Sequence, residues 1–563
     1  MTTSRIGWAV LAALYVSNAA YADVAAPVAG QAIVGLPVTG APIQRPHTRS
    51  CTVNIVKNFS FDAFGKISEQ AYAPPKDCPG PWALVVLDMD GAIDGVQYDR
   101  FGFIHLGQAE LLRFTTPEPP HHAIHWHVEK DVTAYSSLFA AANAQNFTVQ
   151  LDNSISEKLN GVYRLNATLT FYLPDKKFPA AAQPNLIKSI ASGDTKQPYF
   201  SVVSPTAMEA ASTLELPTNI THAILEVYAT PHDLEEFWYL PGGNIAPYRE
   251  LQIYIDGKLA GIAWPFPYIY TGGFNPHYWT PITAIDALNI PPYIVDLTPF
   301  AAMLNKPGSA GNQHRFSIKL NVTPSNWLID ANLLLETDPK LERVTGQVTD
   351  YHFSPTATVT DLKNPAALKI YKNKKITRSL LCAGKLTTSQ GDVTTTLEQT
   401  FSLTNEFPAL RDKSHVFDHL LSQEVATKVT TKRGLETTAK SLQTSYTFRI
   451  SPSVDTMNSD LPAPFAMNQS LQRVTKSSHN GVLEIDSVLS QRIRSANQAT
   501  LTAAHEKKNS YFSNATSTFQ DRNGKCYYLQ LQAAQNTLTQ QTIHDDPNGN
   551  LTVDLKASFN ACH

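Results

Sequence analysis

Apolar residues recur along this chain in short runs of about four to eight positions, many alternating with polar ones, which is the period of extended strands rather than of helices. Between residues 47 and 190 such runs fall at Trp82 to Leu87, Phe101 to Leu106, Ile124 to Val128, Phe147 to Leu151 and Ala167 to Tyr172. Turn pairs at Asp90-Gly91, Asp94-Gly95 and Asn160-Gly161 separate them, giving the spacing of a β-sandwich. A stretch from Pro174 to about Pro217, with scattered Pro, Ser and Lys, reads as a bridge into a second series over 191–345. That series includes Ala223 to Tyr228, the near-alternating Leu251 to Asp256 ahead of Gly257, and Leu328 to Leu335. Beyond residue 345 Thr, Ser, Gln and Lys accumulate and the alternating segments lengthen, as in Thr394 to Leu403 and Leu442 to Ile450. Turns at Gly391-Asp392, Asn480-Gly481 and Asn523-Gly524 predict a region of long hairpins over 346–563. The pattern is that of an all-β protein.

The N-terminus departs from that pattern. Arg5 precedes an apolar run from Ile6 to Val16, and Ala20-Tyr21-Ala22 follows, which is the charge, apolar core and small-residue site of a secretory signal over residues 1–22. Residues 23–46, rich in Ala, Pro, Val and Gly, read as an extended leader. No other stretch approaches about 18 uninterrupted apolar residues, so the mature chain is expected to be secreted or periplasmic and outside the membrane. Export permits disulfides, and the five cysteines allow at most two. Cys51 with Cys78 is one natural pair; Cys526 and Cys562, flanking the turn signal Asp545 to Gly549, are the other.

Composition narrows the function classes. With 43% hydrophobic and only 17% charged residues, the chain has too much apolar surface to stay disordered. A formal net charge of -3 offers no basic field for a phosphate backbone, which argues against nucleic acid as a partner.

The ionisable residues concentrate in two places. One runs from Asp99-Arg100 through Glu110, Arg113 and Glu118 to Glu129-Lys130-Asp131; the other holds Asp233, Glu235, Glu236, Trp238, Arg249 and Glu250. Carboxylates at strand ends, accompanied by Arg and aromatic rings, suit a hydrolase of sugar-bearing substrates: one group moves protons, donors meet hydroxyls, and flat faces meet pyranose rings. Solvated strand ends with compensating charges are the bland alternative. Trp238, Trp264 and Tyr268 are candidate stacking faces or ordinary core aromatics. His125, His127 and Glu129 share one side of a strand and invite a metal, although a His-rich edge is the simpler reading. Asp88, Asp90 and Asp94 fail the calcium-loop order and read as a turn.

The run Gln97 to Leu138 and the run Glu235 to Ile282 resemble the peptide:N-glycanase A family, and the similarity extends through Asn332 to Leu335. That family is in turn similar, distantly, to the flavobacterial peptide:N-glycanase F. The resemblance implies two jelly-roll-like β-sandwich domains packed side by side, with the C-terminal β-rich hairpin domain outside its reach. It implies an amidase that cleaves the GlcNAc-Asn bond of N-glycopeptides or denatured glycoproteins, with no cofactor. Tyr98-Asp99-Arg100 and Glu236-Phe237 resemble the runs that carry the acids of the flavobacterial enzyme. The implied roles are Asp99 as principal catalytic carboxylate, Glu236 as supporting acid and Arg100 as a ligand of the core sugars. Glu118, Glu235, Trp238 and Trp264 complete the candidate substrate-binding set, and a monomer is expected. An endo-β-N-acetylglucosaminidase using the same carboxylates, and a lectin-like sandwich without activity, are the competing readings.

Overall fold

The structure, a computed structural model, describes residues 33–36, 43–118, 124–143, 145–180, 182–190, 201–240, 247–270, 285–307, 311–322, 325–363, 372–408, 417–454, 465–501, 507–524, 526–534 and 537–544. The expected secretory signal, His121, His122, the Asp545 to Gly549 turn and Cys562 lie outside them.

The period-two pattern produces strands wherever one face can be buried. In Val162–Tyr172, for example, Tyr163, Leu165, Ala167, Leu169 and Phe171 alternate into a core while the residues between them face outward. This strand sits in a five-stranded sheet ordered Ile33–Leu36, Ile124–Asp131, Leu84–Asp94, Val162–Tyr172, Ser50–Phe61. Opposite it lies a four-stranded sheet ordered Ile67–Tyr72, Gln145–Leu151, Phe101–Leu106, Ala109–Thr115, and the two share one apolar core. Cys51 and Cys78 are joined in a disulfide at the margin of this first sandwich.

A second sandwich repeats the plan. One sheet runs Leu186–Ser189, Trp327–Thr337, Ile220–Pro231, Tyr293–Asp296, with Ser201–Val203 also paired to Trp327–Thr337. The other runs Glu209–Glu215, Gln313–Leu320, Leu251–Ile255, Lys258–Ala263. The stretch expected to be a bridge thus supplies strands to this sandwich. Leu186–Ser189, expected within the first region, hydrogen-bonds to Trp327–Thr337 instead. Its four residues are all only half-buried, so their pattern carries little register information.

The remainder, from Thr345–Phe353 to Thr537–His544, is a single 11-stranded sheet of long hairpins. It lies across both sandwiches. Leu380, Cys382, Leu397, Phe401, Leu421 and Phe448 extend the core of the second, while Tyr527, Leu529, Leu531 and Ala533 join the core of the first.

One expected turn is not a turn. Strand Leu84–Asp94 runs straight through Asp90-Gly91, and Gly91 stands directly opposite Trp126 of the neighbouring strand. A Cβ on Gly91 would lie 2.1 Å from the Trp126 ring, so the glycine serves a close approach rather than a bend. Gly91→Ala is therefore expected to destabilise the protein by about 1–3 kcal/mol through overpacking. Chemical denaturation checks this, and an unchanged midpoint would contradict it.

Candidate active site

Asp99 lies in the short connection that leads into Phe101–Leu106, and that connection continues the pairing with the strand beside it. Arg100 donates its N–H to Thr116 Oγ1 at 2.8 Å, and Thr116 donates its own N–H to the Arg100 carbonyl at 2.9 Å. The Tyr163 hydroxyl stands 2.7 Å from the Tyr98 carbonyl and 2.9 Å from that of Pro117, tying the two segments together. Gln97 completes the support: its side-chain oxygen accepts from Tyr98 N–H at 3.0 Å and from Arg100 Nη2 at 2.5 Å. These contacts place Glu118 behind Asp99, where Glu118 Oε1 accepts the Asp99 N–H at 3.2 Å.

Glu236 comes from the second sandwich. Strand Ile220–Pro231 ends in a 3₁₀ turn over Asp233–Glu235, entered through Asp233 at φ +55°, a left-handed conformation that Asp tolerates better than most residues. His232 N–H donates to the Asn326 carbonyl at 2.8 Å, and the Asp233 carboxylate accepts from the Asn326 amide. Glu236 N–H then closes the turn on the Asp233 carbonyl at 3.1 Å.

Asp99, Glu118 and Glu236 form one electrostatic group. Burial pushes the Asp99 carboxyl up to about 6, against the pull of a hydrogen bond from Glu118 and the charge of Arg100. Burial, and then the charges of Asp99 and Asp233, push Glu236 up to about 8. Glu118 is held well above the usual carboxylate range by burial first, then by the Asp99 charge, with Glu236 adding to it. Glu118 is closed off, at 3% exposure, whereas Asp99 and Glu236 are half-buried. Glu118 Oε1 is taken by the Asp99 N–H and its buried Oε2 has no hydrogen-bond partner among the described residues, while Glu236 feels the charge of Asp99 from the other sandwich. Tyr270, which sequence reasoning passed over, belongs here as well. Its hydroxyl donates to the Pro231 carbonyl at 2.9 Å and its ring system feels the charges of Glu236 and Asp99.

Both sandwiches are bolted together beside this group. Arg113, fully buried, forms a bidentate pair with Glu110 at 2.8 and 2.7 Å and reaches across to the Leu328 carbonyl at 2.7 Å and Thr230 Oγ1 at 3.3 Å. His105 Nε2 lies 3.1 Å from Asp330, and Asn332 donates to the Glu110 carbonyl at 2.7 Å and to Tyr135 at 2.8 Å. Phe101, next to Arg100 in sequence, meets the His232 ring edge-on at 5.2 Å.

Four other candidate residues are placed elsewhere. Glu235, adjacent to Glu236, turns the opposite way into a buried bidentate pair with Arg249 at 2.6 and 2.7 Å and also accepts from Trp327 Nε1 at 3.0 Å. Trp238 is packed between the Arg249 guanidinium and Trp327. Trp264 is buried, donates to Glu250 at 2.9 Å and packs on Tyr248 and Phe401. Tyr268 is buried with its hydroxyl on that of Tyr293 at 2.6 Å. Glu235, Trp238 and Trp264, expected to bind substrate, thus have protein partners on their hydrogen-bonding or stacking surfaces. Phe401 of the C-terminal sheet packs on Trp264, a contact between distant segments that local pattern does not reveal.

The His-rich strand also sorts differently. His127 and Glu129 converge with Asp88, but His125 is exposed and apart from them. Arg45 occupies the centre of that group, 2.5 Å from Asp88 and 2.8 Å from Glu129, while His127 lies 2.7 Å from Asp90. Its carboxylate partners, Asp88 first, push the His127 imidazole up to about 10. A protonated imidazole and a guanidinium compete with a metal for the same oxygens.

Comparison with known proteins identifies the family. A protein of Prunus dulcis named peptide-N4-(N-acetyl-beta-glucosaminyl)asparagine amidase A is 31% identical over 404 residues, covering 66% of this chain and 69% of its own. Among solved structures, peptide N-glycanase F is similar at 14% identity and a TM-score of 0.33, over 51% of this chain and 96% of its own. PNGase F described as a glycosylasparaginase from Flavobacterium meningosepticum gives 12% identity at the same score and coverage. The sequence model of the peptide N-acetyl-beta-D-glucosaminyl asparaginase amidase A family matches residues 40–354, which include the segments bearing Asp99, Glu118 and Glu236, and the chain belongs to that family.

Proposed function

We propose that this protein hydrolyses the amide between GlcNAc and the Asn side chain of N-glycopeptides and denatured glycoproteins, releasing the whole glycan and leaving Asp in the peptide. The observation that carries the reading is the electrostatic union of Asp99 and Glu118 from one sandwich with Glu236 from the other, in a chain of this family. Substrate lies between the sandwiches, whose boundary, expected at residue 190, falls ahead of Leu186–Ser189, a strand paired within the second. The N-terminal pattern supports export; among the described residues no helix is long and apolar enough to cross a membrane.

The chemistry follows from the protonation states. Water attacks the side-chain carbonyl carbon of the glycosylated Asn and gives its proton to ionised Asp99, whose charge the neighbouring Arg100 favours. Glu236, protonated at neutral pH, faces the same space and supplies the proton taken by the departing nitrogen as the C–N bond breaks. The products are an Asp side chain and a glycosylamine, which a second water then hydrolyses to ammonia and a reducing glycan. Arg100, half-buried beside Asp99, is the cation placed to meet sugar oxygens.

Mass spectrometry of one N-glycopeptide after digestion tests the reaction. The amidase leaves Asp without sugar; a peptide retaining one GlcNAc on Asn, or no change at all, would overturn the proposal. In folded protein Asp99→Asn is expected to lose about two orders of magnitude in rate or more. Glu236→Gln is expected to lower the rate as well, while Glu398→Gln, exposed on the C-terminal sheet, leaves it unchanged. Wild-type turnover by Asp99→Asn would remove that residue from its role.

The raised carboxyls also set a pH dependence of stability. In the unfolded chain they titrate near about pH 4; in the folded protein Asp99 and Glu236 do so at about 6 and about 8. Between those values the folded state holds protons that the unfolded state has lost, so stability falls as pH rises. Tm is expected to be higher near about pH 5 than near about pH 8, and Glu236→Gln to shrink the difference. An undiminished difference in that variant would contradict the burial of Glu236.

A further inference from the structure

The segment 285–290 of the second sandwich contacts the strand Ala109–Thr115 and, at Ile269, the chain leading to Tyr270, so that it reaches both carboxylate-bearing segments through one intermediate. At one end Ile285 and Ile269 exchange backbone hydrogen bonds at 2.8 and 2.9 Å, which holds the neighbouring Tyr270 with its hydroxyl on Pro231, at the root of the Glu236 turn. Further along, the Ala287 carbonyl accepts both the N–H of Thr115 at 2.9 Å and its hydroxyl at 3.1 Å. Thr115 adjoins Thr116, the partner of Arg100. Ile290 N–H then donates to the Arg113 carbonyl at 2.9 Å. Between these contacts sits Asp286, buried at 5% exposure and held at φ +53°. Its carboxylate is met by Arg473 Nη1 at 3.2 Å, from strand Phe465–His479 of the C-terminal sheet. Among the described residues Arg473 is the cation that offsets the burial of Asp286; Tyr446 and Tyr268 surround the guanidinium.

We propose that Arg473 is a positioning residue for the active site, acting through Asp286 to hold the segment that sets Asp99 and Glu236 relative to each other. The C-terminal sheet is then part of the catalytic apparatus although it places no group on substrate. A buried carboxylate deprived of its cation is strongly unfavourable, so loss of Arg473 forces Asp286 to move or to take up a proton. Either change loosens the Ala287 contact with Thr115, and small displacements at a reacting centre cost rate rather than affinity.

The proposal rests on the reading of Asp99 and Glu236 above. Arg473→Gln is expected to lower kcat about tenfold with KM nearly unchanged, because misalignment acts on the transition state. Arg473→Lys, which keeps the charge and can make the single contact, recovers most of the loss. Asp286→Asn lowers kcat in the same direction, and the double variant is no worse than the more impaired single one, since both act through one contact. Circular dichroism establishes that each variant is folded; if Arg473→Gln does not fold, Asp286→Asn and Arg473→Lys carry the test. Opposite effects of Asp286→Asn and Arg473→Gln would indicate a long-range field and overturn the proposal, as would wild-type kcat in both. If Asp99→Asn is inactive while the pair variants are not slowed, this inference alone fails. Wild-type turnover by Asp99→Asn would instead remove the reading beneath it.

Discussion

A guanidinium with no access to water must find its partners inside the protein, and Arg113 finds them on both sides of the boundary between the sandwiches. Glu110 neutralises it from the same strand; Leu328 and Thr230 complete its hydrogen bonds from the other sandwich. The geometry of a planar fork leaves little freedom in how the two bodies dock. His105 with Asp330 and Asn332 with the Glu110 carbonyl add further buried polar contacts to the same boundary. An apolar interface would tolerate sliding, whereas each of these groups costs stability if it loses its partner. The docking is what allows a carboxyl from residue 99 and one from residue 236 to act on each other.

Their mutual action depends on burial as much as on proximity. Desolvation is the largest cause of the upward shift at Asp99, at Glu118 and at Glu236. Without it three acids in one place would all ionise and repel. With it, the deepest of them is held well above the usual carboxylate range, and the two half-buried ones differ enough in proton affinity to take different parts. One is charged when the other is not, which is the condition for a base and an acid to work side by side.

Period-two alternation made the all-β character legible, because strand burial is a local property of the sequence. The positions where reading failed are those decided by distant residues. Gly91 resembles a turn glycine until Trp126 is seen lying against it. Glu235 and Glu236 are adjacent and chemically alike, yet one is consumed by Arg249 and Trp327 while the other faces Asp99; a 3₁₀ turn points them apart, and no local signal says which way. Trp238 and Trp264 carry the composition of a sugar platform but are covered, the latter by Phe401 from the C-terminal sheet. Asp99, Glu118 and Glu236 were marked by residue type and resemblance, and their grouping required the tertiary structure. Tyr270 and Arg473 had no mark at all, since their value lies in backbone and side-chain partners far along the chain.

The central claim is that carboxyls from two sandwiches form one titrating unit. Following the Glu236 side-chain carboxyl by carbon NMR across pH, in the wild-type protein and in Asp99→Asn, measures that unit directly. The charge of Asp99 is one cause of the rise of Glu236 to about 8, with burial the larger. Removing it is expected to lower the Glu236 midpoint while leaving it above the range of an exposed carboxylate. A midpoint that does not move when Asp99 loses its charge would show that the two groups do not share a site, and would contradict this account.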